Sequence, residues 1–205
     1  MAAASELVVA DDPADWARLG FAPDAAGVVA LGPLAVRLAG RGAGEGIVAL
    51  VLDVDVADDV DGLPLRSGGP RPRSEGAAEH RNGALAIDHV VVFTDDCDRT
   101  TAALVAAGGD VRRRGSPPEL PVPMAFVRFG SLIVEVAQAG GATRFWGLTV
   151  VVADLDAAAA HVGVRPRDAV QPGRRILAVP RDAGLSTALA LISPRPAPPP
   201  PATRG

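Results

Sequence analysis

Apolar residues fall along this chain in short β-branched runs, each closed by acids and followed by a stretch at helical spacing. Ile87-Asp88-His89-Val90-Val91-Val92-Phe93-Thr94-Asp95-Asp96 leads into Arg99 to Ala107. Leu148-Thr149-Val150-Val151-Val152-Ala153-Asp154-Leu155-Asp156 leads into an Ala-rich stretch ending at His161, and Glu6-Leu7-Val8-Val9-Ala10-Asp11-Asp12 leads into Pro13 to Leu19. Each phrase predicts a strand, an acidic helix cap and one short helix, with Pro13 suited to a first helical turn.

The second half of the unit also recurs. Phe129-Gly130-Ser131-Leu132-Ile133-Val134-Glu135-Val136 matches Leu31-Gly32-Pro33-Leu34-Ala35-Val36-Arg37-Leu38 in character, and both predict a tight hairpin turn feeding a final strand. A degraded fourth copy begins at Ile47-Val48-Ala49-Leu50-Val51-Leu52-Asp53. The expected fold is α+β, built from tandem βαβββ modules that form cup-shaped mixed sheets, with a degenerate N-terminal copy.

Composition changes this picture at two places. Arg66 to Gly83 is poor in apolar side chains and rich in Gly, Arg and Pro, and the run from Ser193 is proline-rich. The predicted organisation is a degenerate module pair over 1–65, a flexible linker over 66–84, a two-module domain over 85–194 and a disordered tail over 195–205. With 205 residues the chain buries a core without metals or disulfides, and with only seven aromatics, five Phe and two Trp, that core is Val, Leu, Ile and Ala. The net charge of −4 argues against a nucleic-acid partner. A lone Cys97 excludes a disulfide framework within these residues, and neither a signal-like start nor a membrane-spanning apolar run is found. The expected location is cytoplasmic, without a membrane partner.

A tandem βαβββ unit with His89 in its first strand and Glu135 in its last resembles the vicinal oxygen chelate superfamily, which includes glyoxalases, bleomycin-resistance proteins and extradiol dioxygenases. The resemblance implies a cup around a small molecule and, in metal-dependent members, a divalent ion held by His and Glu from both modules. Here His89 and Glu135 are the first module's candidates, an incomplete set. The second offers Gly147 or Thr149 in place of His, and Ala190 or Leu191 in place of the acid. Arg37 stands at the acid's place in the N-terminal copy, with Ser5 or Glu6 near the His position. The implied cofactor is none, or a weakly held divalent metal.

If Gly130-Ser131 is a two-residue turn, Phe129 pairs with Leu132, Arg128 with Ile133 and Phe126 with Glu135, placing Met124, Phe126, Arg128 and Glu135 on one face. His89, Val91 and Phe93 share a face by alternation. The cup then collects one His, one Glu and one Arg on apolar walls, with Trp146 beside it. His89 is a candidate acid or base with Glu135 as its catalytic partner, and Arg128, Phe126, Phe93, Met124 and Trp146 are candidate ligand contacts; an Arg128–Glu135 cross-strand pair is the alternative. Cys97 is expected to be a buried, inert thiol, and Asp53, Asp55, Asp58, Asp59 and Asp61 to be solvated loop charge. The leading expectation is a metal-free small-molecule-binding protein, monomeric or homodimeric. The alternative is a metal-assisted lyase, isomerase or dioxygenase whose missing ligands come from substrate, water or a second subunit.

Overall fold

In the computed structural model, residues 1–69, 79–116 and 121–196 are described; residues 70–78 of the predicted linker and the end of the predicted proline-rich tail lie outside them. The N-terminal half contains β1 (Ala4–Val9), α1 (Pro13–Arg18), β2 (Val28–Leu31), β3 (Leu34–Leu38), β4 (Ile47–Leu52), β5 (Asp59–Val60) and β6 (Leu63–Ser67). The C-terminal half contains β7 (Ala84–Thr94), α2 (Cys97–Ala106), β8 (Asp110–Arg114), β9 (Met124–Phe129), β10 (Leu132–Gln138), β11 (Arg144–Val152), α3 (Leu155–Val162), β12 (Arg167–Asp168), β13 (Arg175–Ala178) and β14 (Ala188–Ile192).

The larger sheet runs β12-β13-β14-β11-β7-β10-β9-β8, and the smaller β2-β3-β1-β4-β6-β5. In the larger sheet two βαβββ modules meet at the antiparallel pair β7–β11, and in each the last strand returns parallel to the first. This is the expected arrangement of tandem βαβββ modules. The smaller sheet repeats it in reduced form, with β1 and β4 central and antiparallel, β3 parallel to β1 and β6 parallel to β4.

Alternation decides which residues form the core. Val90, Val92, Val134, Val136, Val150 and Val152 are completely buried, whereas Val91, Phe93 and Glu135 point to the opposite, more open face. Helices start where the sequence places acids: Asp96 accepts from the Arg99 amide at 3.0 Å, and Asp154 from the amides of Asp156 and Ala157. The first helix differs from expectation. Asp12 makes no side-chain cap, and Asp11 instead accepts from the Trp16 indole at 3.0 Å and from the Ser186 amide at 2.5 Å. That second bond ties the N-terminal half to the loop before β14.

The β9–β10 turn has the expected register, Phe129 opposite Leu132 and Phe126 opposite Glu135. Gly130 turns the chain at φ 61°, as its counterpart Gly32 does at φ 63°, a conformation costly for residues with a Cβ.

Candidate functional site

His89 sits on the central strand pair, directly opposite Thr149. Its Nδ1 lies 2.8 Å from Asp88 Oδ2 and its Nε2 3.1 Å from Thr149 Oγ1. Neighbouring residues on a strand point to opposite faces, so the Asp88 contact needs explaining. The β7–β11 register shifts here, with His89 opposite Thr149 but Ile87 opposite Val150. Asp88 is the extra residue of a β-bulge, which turns its side chain to the same side as His89.

The other Asp88 oxygen, Oδ1, accepts from Arg174 Nη1 at 2.7 Å, and Arg174 Nε donates to the Ser193 carbonyl at 2.9 Å. Arg174 is buried, at 3% side-chain exposure, and its Nη2 has no partner. Burial opposes ionisation of Asp88, but the hydrogen bonds from His89 and Arg174 outweigh it and hold the carboxyl down at about 2. Asp88 is therefore an anion, and the Nδ1–H of His89 donates to it. Nε2 is left as the acceptor for the Thr149 hydroxyl.

Glu135 approaches the same imidazole from the first module, its Oε2 3.9 Å from Nε2. Burial raises its pKa; His89, when protonated, and Arg113 oppose this, and Asp88 reinforces it. Arg113, with its guanidinium 4.6 Å above the Phe126 ring, is the cation on this side of the cup. Arg128 does not converge there. Its Nη2 lies 3.2 Å from Asp110 Oδ2 toward the β8 edge, so neither the expected Arg128–His89 cluster nor an Arg128–Glu135 pair forms. Met124 is buried opposite Ala137, while Phe126 is half-buried under Arg113.

The helix caps resolve the register of the second module. His89 precedes Asp96 by as many residues as Gly147 precedes Asp154, which makes Gly147 the counterpart of His89. Thr149 then corresponds to Val91; Val91 pairs with Glu135 and Thr149 with Ala190, so Ala190 is the counterpart of Glu135. A Cβ on Gly147 would stand 2.3 Å from the Ala188 carbonyl oxygen, so the packing of β11 on β14 leaves no room for any side chain. The site thus keeps two donors, His89 and Glu135. Thr149 already occupies Nε2, and among the described residues no group of three His, Cys, Asp or Glu is placed to hold a metal. These residues do not fit a firmly held divalent ion, which takes three protein ligands in a typical catalytic zinc site.

Small residues replace those donors, and a cleft of about 920 Å³ opens beside them. Its walls include Val91, Thr149, Ala178, Ala188 and Ala190 from the larger sheet, and Gly46, Ile47 and Pro64 from the N-terminal half. The loop before β14 joins the two: Ser186 Oγ accepts from the Gly46 amide at 3.0 Å and donates to the Ala10 carbonyl at 3.3 Å. In the same wall the buried Thr187 hydroxyl has no partner. At one side of the cleft Trp146, 42% exposed, stacks on Phe93 with centroids 5.0 Å apart. Of the expected contacts, Trp146 lines this cleft and Phe93 backs it; Met124 and Phe126 lie in the first module's half, and Arg128 turns to the β8 edge.

The remaining candidates are structural. His80 accepts from the Ala22 amide through Nδ1, and its Nε2 lies 2.8 Å from the Ala30 carbonyl; His161 Nε2 contacts the Arg81 carbonyl. Cys97 is buried, and burial pushes its thiol pKa up. Two acids of the loop cluster are not merely solvated: Asp53 accepts from the Ala3 amide, and Asp61 binds Arg99 Nε at 2.7 Å. Glu6 and Arg37 stand where His89 and Glu135 stand in the larger sheet, because Val8 pairs with Arg37 as Val91 pairs with Glu135. They form a bidentate ion pair at 2.7 and 3.0 Å.

No protein-family model and no curated protein sequence matches the chain. Solved structures similar to it in fold include methylmalonyl-CoA epimerase from Mycobacterium tuberculosis, at 16% identity and TM-score 0.47, over 56% of this chain and 91% of that one. A hypothetical protein from Bacillus halodurans matches at 10% identity and TM-score 0.47, over 55% and 96%. Streptomyces coelicolor methylmalonyl-CoA epimerase in complex with 2-nitronate-propionyl-CoA matches at 22% identity and TM-score 0.43, over 52% and 95%.

Proposed function

We propose that this chain is a glyoxalase-like small-molecule-binding protein of the cytoplasm, which takes an apolar ligand into the cleft beside His89 without a resident metal ion. The observation that carries this reading is that Ala190, the counterpart of Glu135, has no chelating group and stands in the wall of the cleft. At Ala190 the absence of a chelating side chain and the space for a ligand coincide. Apolar walls supply burial for apolar surface, while hydroxyls and the charged Glu45, Arg144 and Arg181 also line the cleft.

The fluorescent apolar anion 8-anilino-1-naphthalenesulfonate is a direct probe. Saturable binding to the wild type at one site, lost in Ala190→Phe while the circular dichroism spectrum is kept, supports the reading. Failure to bind, or binding that Ala190→Phe leaves unchanged, contradicts it. One observation favours the metal-assisted alternative: a carboxylate on Nδ1, as Asp88 provides, is how metal-bound imidazoles are oriented.

A further inference from the structure

We propose that Asp88, His89 and Thr149 form an acid–base–hydroxyl relay in which Thr149 is a nucleophile toward small apolar carboxylic esters held in the cleft. This rests on the reading of the cleft as a ligand site. Three contacts carry it. Arg174 Nη1 holds Asp88 Oδ1 at 2.7 Å, Asp88 Oδ2 holds His89 Nδ1 at 2.8 Å, and His89 Nε2 faces Thr149 Oγ1 at 3.1 Å. A nucleophile within hydrogen-bond reach of a base that a third group orients is the arrangement that activates a hydroxyl. Thr149 is also part of the cleft wall, with Ala190 opposite it on β14, and is 4% exposed.

The bulge at Asp88 gives this arrangement a structural origin. In the N-terminal sheet the register shifts at the corresponding place, between Ala4 and Glu6, and Ser5 is the extra residue. There the bulge carries a hydroxyl directed to the Val51 carbonyl, and the residue in the His position is Glu6, paired with Arg37. Both sheets share the backbone irregularity; the larger one places a carboxylate, an imidazole and a hydroxyl on it in line.

The chemistry balances with water as the second reactant. Thr149 Oγ adds to the ester carbonyl carbon while its proton passes to His89 Nε2, and the carbonyl π pair moves to oxygen. Collapse breaks the bond to the leaving alkoxy group, which takes that proton from His89 and departs as the alcohol. Water then attacks the acyl-threonine, giving its proton to His89; the acid leaves and Thr149 recovers its hydrogen.

This chain suits the test, because it has no lysine and no tyrosine to react in the background and its single cysteine is buried. The full chain is treated with p-nitrophenyl acetate, nitrophenol release is followed, and the quenched protein is analysed by intact mass and peptide mapping. The expected result is one acetyl group on Thr149, present in Thr149→Ser and absent in Thr149→Val and His89→Ala, with a loss of rate on the order of 10²-fold or more in Asp88→Asn. The Thr149→Ser and Thr149→Val pair keeps the test decisive if the His89 or Asp88 variants do not fold. Acetylation elsewhere, no acetylation, or release unaffected by Thr149→Val overturns the proposal. If 8-anilino-1-naphthalenesulfonate still binds in that case, this inference fails while the binding function stands; if neither is seen, both fail.

Discussion

Across the central strand pair, the hydroxyl of Thr149 lies 3.1 Å from Nε2 of His89 and occupies the nitrogen that a metal ion would need. Three further relationships, at Gly147, Asp88 and Glu135, follow from how that pair is built, and each has a measurable consequence.

Restoring a chelating side chain at the second module's first position is expected to fail. Gly147→His and even Gly147→Ala drive a Cβ onto the Ala188 carbonyl, in a strand pair with no slack. Overpacking of this kind costs about 1–3 kcal/mol. Urea denaturation checks it; a Gly147→Ala protein within about 0.5 kcal/mol of wild type would contradict this packing.

Asp88 makes stability depend on acid. Its folded pKa of about 2 lies below the ordinary 3.8, so its contribution is complete above that ordinary value and is lost as pH falls from about 4 toward 2. The shift corresponds to about 2 kcal/mol at neutral pH. Asp88→Asn is expected to abolish this part of the acid sensitivity. It also leaves the buried Arg174 charge unpaired, a cost of about 3–5 kcal/mol that Asp88→Asn/Arg174→Met should largely recover. Urea denaturation at stepped pH values reads both effects.

Glu135 behaves in the opposite sense. Because its folded pKa is raised, the wild type loses stability as pH rises through the range in which the buried acid ionises. Glu135→Gln should therefore raise the melting temperature at pH 7, and the gain should vanish in acid, where the wild-type group is protonated. A Glu135→Gln protein less stable than wild type at pH 7 would show that the carboxylate is held by contacts stronger than the 3.9 Å approach to His89.

The two tryptophans report separately. Trp16 is completely buried and Trp146 is 42% exposed on the Phe93 ring. Acrylamide is expected to quench one emission component readily and leave the other protected, and Trp146→Phe should remove the quenchable part at a stability cost within about 1 kcal/mol. Two equally protected components would contradict an open cleft edge.

What the sequence makes legible here is whatever depends on local periodicity. The β9–β10 register follows from one two-residue turn, and both well-formed modules from β-branched runs ended by Asp96 and Asp154. The His89 and Glu135 approach follows from the same rule. Alternation hides Asp88, because a bulge reverses its face and no residue type announces that bulge. Arg174 is distant in sequence and precedes a strand in a segment without pattern, so its place beside Asp88 exists only in the tertiary fold. The expected Arg128 contact fails for a related reason: Asp110 on the edge strand offers a less buried partner, while Arg113 takes the place above Phe126. The cleft, too, is a property of packing, since Ser186 brings the N-terminal half over the second module.

In the proposed function the second module holds Gly147 and Ala190 where chelating side chains would stand, and the cleft opens beside Ala190. Thermal shifts of metal-stripped protein with added nickel, zinc, manganese and iron(II) test it most directly. No saturable stabilisation that depends on His89 or Glu135 is expected. A stabilisation of several degrees that disappears in His89→Ala or Glu135→Ala would contradict it.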